Sequence, residues 1–182
     1  KCLDKERNLY KFDGDFFNYA LVRSNIISTS AMVYRLSVDS SQRFDTKIYN
    51  GQDRLFKLTL SQRTNDISFG SKVLVQEGEG INIFDSAKWG THKSLVLNSS
   101  YIKLCRTIST TLKLQPNHRK VVSTQLAECR QAMVSSTLHL LKTKQKVDWS
   151  LYRTAFSSDP IFALLAVPIA FKITFSHFFS RS

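Results

Sequence analysis

Beyond Pro116 the residues Val122, Leu126, Cys129, Met133, Thr137 and Leu140 recur at spacings of four, three, four, four and three. Only a helix brings such positions onto one face, because a turn takes 3.6 residues. The pattern predicts an amphipathic helix within 116–147. Asn117 is the expected N-cap, its side-chain oxygen accepting from first-turn amides. Lys142, Lys144 and Lys146 follow at the end where the helix dipole is negative. Pro116 is one of only 3 prolines, and there are 6 glycines, which excludes collagen-like, Gly-rich and Pro-rich linker chains.

Upstream of that helix the pattern reads with a period of two. "FFNYALV" (16–22) and "AMVYRLSV" (31–38) are rich in aromatic and β-branched residues, and "RLFKLTLS" (54–61) alternates Phe56, Leu58 and Leu60 with Lys57, Thr59 and Ser61. "SKVLVQ" (71–76) and "INIF" (81–84) flank "EGEG", a hairpin signal. "SLVLN" (94–98) and residues 100–115 complete the succession, with Ile102, Leu104, Ile108, Leu112 and Leu114 on one parity. The expected fold class is α+β, mainly β: an antiparallel sheet, sandwich or barrel from the N-terminal two thirds, then one long amphipathic helix and an apolar C-terminal segment. The expected organisation is a single domain over 1–182, with a β-rich part (1–115), a basic helix (116–147) and an apolar C-terminal element (148–182).

"IFALLAVPIAF" (161–171) is uncharged and apolar, and is interrupted by Pro168. A membrane-spanning helix needs about 20 such residues. The run reads as a buried helix leading into a final strand over "KITFSHFF", or as an interfacial or self-association segment. In the second case Ile161, Phe162, Leu164, Leu165, Phe171 and Phe175 would make the contact.

Charge is the strongest functional signal. The chain carries 26 Lys and Arg against 14 Asp and Glu, a net charge of +12. In the window 86–147 the only acid is Glu128, and Ser86 to Ala127 holds no carboxylate. A surface built for solubility alone mixes both signs, so a one-signed window points to a polyanionic partner. The candidate contacts are Lys88, Lys93, Lys103, Arg106, Lys113, Arg119, Lys120, Lys142, Lys144 and Lys146. Arg106 falls on the apolar parity of its expected strand, as a sheet-edge residue, a bulge or a partner of Glu128. Trp89 and Tyr101 lie among the lysines and are candidates for base stacking. Without a K/R-G-F/Y-G/A-F box or G-x-x-G clamp, RNA would be held through phosphates and shape.

Catalytic signatures do not assemble. The glycines form neither G-x-G-x-x-G nor a P-loop, no Ser stands in G-x-S-x-G, and His92, His118, His139 and His177 occur singly. "DGD" at 13–15 lacks the further oxygen ligands of a calcium loop and reads as a turn. Cys2, Cys105 and Cys129 are odd in number and widely spaced, which argues against a disulfide framework or a zinc site and for a reducing compartment. No metal, cofactor or enzymatic activity is expected. Residues 1–15 contain no hydrophobic signal core.

Two functional expectations follow. One is a virion matrix-type structural protein that self-associates and bridges a nucleocapsid or RNA and an anionic membrane, inside a cell or virion. The other is a basic RNA-binding accessory subunit of a large ribonucleoprotein, for instance an organellar ribosome in an organelle matrix.

Overall fold

The structure, a computed structural model, describes residues 1–23, 31–72 and 87–179, the last three without their side chains. It is mostly helical, 59% helix and 6% strand, which overturns the expected β-rich fold. Among the described residues the elements are β1 (Cys2–Asp4), β2 (Leu9–Lys11), α1 (Phe16–Val22), α2 (Gln52–Ser61), β3 (Ser68–Gly70), α3 (His92–Thr111), α4 (Pro116–Lys142), α5 (Ser150–Ser158) and α6 (Pro160–Phe179).

The sheet is small and antiparallel, in the order β1-β2-β3, with Tyr10 opposite Phe69 and their rings stacked at 5.7 Å. Three of the expected strands are helical: 16–22 is α1, 54–61 belongs to α2, and 94–98 with 100–111 lies in α3. Residues 31–38 form turns and irregular chain. The expected hairpin over 71–84 lies largely outside the described residues.

The misreading of α3 has a physical cause. Its Ser, Thr and Ile content favours strands by propensity. In the helix, however, the hydroxyls of Thr107, Ser109, Thr110 and Thr111 donate to the carbonyls of Lys103, Cys105, Arg106 and Thr107, each four residues back. This local bonding satisfies them without a sheet. The buried positions Leu95, Ile102, Cys105 and Ile108 then share the face turned to the core.

Four helices form the body. α3 packs on α4 and α5, and α6 packs on the same two helices, closing a four-membered ring. Directions follow from side-chain contacts. The start of α3 meets the last third of α4, where Ser94 and Ser136 share a hydroxyl hydrogen bond of 3.0 Å. Asp148, just before α5, lies 3.7 Å from His92, whereas Asp159, just after it, pairs with Arg130 in the middle of α4. α3 and α5 therefore run one way, and α4 and α6 the other.

Two glycines allow this close approach. Gly51 (φ 88°) opens α2, and a Cβ there would collide with Leu104 Cδ2. Gly90 (φ 78°) precedes α3, and its Cβ would stand 2.6 Å from His139 Cδ2. The φ values and the lack of room both select glycine. α1 and α2 are tied to the body by buried Arg54, whose Nη2 donates to Leu21 O at 2.8 Å and Gln125 Oε1 at 2.9 Å.

The core contains Leu21, Leu58, Leu95, Ile102, Ile108, Val122, Met133, Leu140 and Phe162. The helix expected after Pro116 is α4, ending at Lys142 rather than 147. Its N-cap is Gln115, not Asn117, because Pro116 occupies N1, the helical position that tolerates a missing N–H. The C-terminal run is one helix through Phe179, not a helix leading into a strand. Pro168 is accommodated because it lies on the exposed side, where Leu164 is 78% exposed and water can solvate the freed carbonyl.

Cys105 and Cys129, distant in sequence, are neighbours across α3 and α4, and both are free thiols. The hydrogen bond between them holds the Cys105 thiol below its ordinary range and pushes Cys129 up.

Candidate polyanion interface

The cationic residues do not make one continuous patch. They divide between the two ends of the α3–α4 hairpin, with Lys103 and Arg106 between them.

At the first pole, the start of α3 meets the end of α4. Gly90 N–H donates to Ser136 Oγ at 3.2 Å, Trp89 Nε1 donates to Ser135 Oγ at 2.8 Å, and the Trp89 and His139 rings are 4.6 Å apart. These contacts place Lys88 and Lys93 at the same end as Lys142, Lys144 and Lys146, and all five are exposed. The acid that the structure places here is Asp148, beside His92. Its carboxyl is held below the usual range by the Ser150 hydroxyl, which donates at 2.6 Å.

At the second pole the chain passes from α3 to α4. Lys113, Arg119 and Lys120 are exposed there. The Lys113 carbonyl accepts from Gln62 Nε2 at 2.7 Å, and Arg119 Nε donates to Leu114 O at 3.2 Å, so the backbone carrying these cations is fixed. Asp15 contributes one nearby carboxylate, 3.9 Å from the buried His118.

The 20 residues of α3 separate the poles by about 30 Å. Screening decays over about 8 Å at physiological ionic strength, so the two clusters act as independent charged surfaces.

Lys103 and Arg106 lie between the poles, half-buried and each engaged by another part of the chain. Lys103 Nζ donates to the carbonyl of Lys47. Arg106 Nε lies 3.9 Å from Asp159 Oδ1, so its partner is Asp159 and not Glu128. Asp159 is fully buried, and Arg130 grips its Oδ2 through Nε at 2.7 Å and Nη2 at 2.6 Å. This carboxylate fastens the α5–α6 junction to α4 and offsets one of the two positive charges of Arg106 and Arg130. Sequence patterns gave no sign of it, since partners 29 and 53 residues away leave no local periodicity.

Of the candidate stacking residues, Trp89 is exposed and Tyr101 packs against the core, where burial pushes its hydroxyl up. On α6, Ile161, Leu164, Phe171 and Phe175 are exposed, Leu165 is half-buried and Phe162 is fully buried. Phe162 therefore belongs to the core, where its ring packs on Tyr152 and Phe156. Val167, Leu141 and Trp149 join the exposed apolar set instead. Among the described residues no helix is long and apolar enough to cross a membrane.

The middle of α6 runs beside the second half of α4, since Ala166, Val167, Ala170 and Phe171 face the same groove as Val134, Leu138 and Leu141. The exposed apolar side of α6 thus leads toward the lysine-rich first pole. The chain matches no protein-family model, no characterised protein and no solved structure.

Proposed function

We propose that this protein is a non-enzymatic assembly protein of the matrix type, which joins an anionic membrane to RNA or a nucleocapsid. The observation that carries the reading is the division of the cations into two poles about 30 Å apart. A bridging protein needs two polyanion surfaces that do not compete, and one continuous patch would not provide them.

The poles differ in chemistry. The first combines Lys88, Lys93, Lys142, Lys144 and Lys146 with the apolar side of α6. Lysines near an anionic leaflet contribute about 1 kcal/mol each, and apolar side chains entering the interface add to this. The second pole carries Lys113, Arg119 and Lys120 on a fixed backbone, which suits phosphates read without sequence preference. Self-association through the free part of α6 is consistent with the same role.

The experiment is flotation of labelled RNA with liposomes containing phosphatidylserine. The reading expects RNA to float only when the protein is present. RNA binding with no affinity for the liposomes would favour instead an accessory subunit of a ribonucleoprotein, with α6 against a protein neighbour.

A further inference from the structure

Beside the first pole, α4, α5 and α6 enclose an open groove of about 350 Å³, within the size range of small-ligand sites. Leu138, Leu141, Trp149, Phe156, Val167 and Phe171 are among its walls. Its polar lining groups are already occupied: the Tyr152 hydroxyl donates to Thr137 Oγ1 at 2.9 Å, and Thr137 Oγ1 donates to Met133 O at 3.0 Å. The groove therefore offers an occupant almost nothing but carbon. At its mouth Leu141 is 50% exposed, Trp149 59%, Val167 63% and Phe171 62%. Apolar side chains held in water around a concave apolar floor mark a surface that another molecule covers.

The chemistry of that molecule is indicated by the rim. Lys142 lies one turn beyond the wall residue Leu138 on the same side of α4, and Lys146 lies three residues before Trp149. Both lysines are exposed. An apolar slot with cations at its mouth is complementary to a hydrocarbon chain ending in a negative headgroup. We propose that the α4–α5–α6 groove binds one acyl chain of an anionic phospholipid, with the phosphate at Lys142 and Lys146. The inference rests on the membrane reading and sharpens it from a surface contact to a site for a single lipid chain.

The chain has 2 tryptophans, and they report on different places. Trp149 lines the groove, whereas Trp89 sits at the same pole on His139. In a Trp89→Phe protein, monomeric lauroyl-lysophosphatidylglycerol, added below its micelle concentration, should give a saturable blue shift of Trp149 emission. In a Trp149→Phe protein the remaining Trp89 should show no comparable shift. Val167→Glu should weaken lysolipid binding by about tenfold or more, as expected when a charge enters an apolar contact. Lys142→Glu with Lys146→Glu should weaken the anionic lysolipid more than lysophosphatidylcholine, whose choline cation offsets its phosphate, while circular dichroism stays unchanged in every variant. A response that never saturates, an equal shift at Trp89, or equal affinity for the two lysolipids would overturn the proposal. So would a Trp149 shift that depends on protein concentration without lipid, which would mean that a second copy covers the groove. Sedimentation of the same proteins with phosphatidylserine vesicles separates the two levels. Vesicle binding without a saturable Trp149 response refutes the groove alone, whereas loss of both refutes the membrane reading itself.

Discussion

Replacing Arg130 with methionine removes the 2.7 Å hydrogen bond from Nε and the 2.6 Å ion-pair contact from Nη2 that Asp159 Oδ2 receives, and leaves Arg106 at 3.9 Å as the remaining ion-pair partner. Asp159 is fully buried, so water cannot take over the lost bonds. Removing one partner of a buried ion pair costs about 3–5 kcal/mol, a large fraction of the 5–15 kcal/mol that holds a typical domain together. For a chain of this length that corresponds to a fall in Tm of about 6–20 °C. The assay is urea unfolding followed by circular dichroism, with the single variants Arg130→Met and Asp159→Asn and the double variant. The double variant should recover much of the loss, because the stranded charge is gone. A loss below about 1 kcal/mol in Arg130→Met would place the pair among the weak surface bridges and refute its structural role.

Two further outcomes follow from the same contacts. Charge reversal at Lys113, Arg119 and Lys120 should lower the slope of log affinity for single-stranded RNA against log salt by about 2, since each neutralised phosphate contributes about 0.7; liposome binding should not change, and an unchanged slope would exclude the second pole. Burial pushes the Tyr152 hydroxyl up from its ordinary value of 10.0, so the fold favours the neutral phenol, and that contribution is complete below pH 10 and lost as pH rises through the higher folded value. Tyr152→Phe should therefore cost about 1 kcal/mol at neutral pH, with the gap to the unmodified protein narrowing in alkaline urea titrations; a constant gap would contradict the assignment.

The sequence was informative where periodicity and local chemistry agreed. The α4 stripe from Val122 to Leu140 was legible because its spacing fits only a helix, and five of its six residues, Val122, Leu126, Met133, Thr137 and Leu140, are buried. In α3 the two periods coincided over Ile102, Leu104 and Ile108, and strand propensity suggested the wrong one. The hydroxyl bonds to carbonyls four residues back, together with burial of Cys105, resolved it toward a helix. In α1 and α2 tertiary packing likewise overrode aromatic and β-branched content, for Phe17 and Leu21 turn inward together, as do Leu55 and Leu58.

The charge bias of residues 86–147 was visible in full, but its geometry was not. Folding the segment into an antiparallel hairpin sends its cations to opposite ends, and the engagement of Arg106 by Asp159 depends on contacts no local window contains. The groove was invisible for the same reason, since its walls come from three separate helices.

The central claim is that one molecule holds membrane and RNA at once through opposite poles. The most direct measurement is RNA flotation with phosphatidylserine liposomes, using the unmodified protein, a first-pole variant (Lys142→Glu, Lys144→Glu, Lys146→Glu) and a second-pole variant (Lys113→Glu, Arg119→Glu, Lys120→Glu). The account predicts that only the unmodified protein carries RNA to the top of the gradient, that the first-pole variant stays below with bound RNA, and that the second-pole variant floats without it. If both variants lose both ligands together, the poles are one surface and the bridging account is wrong.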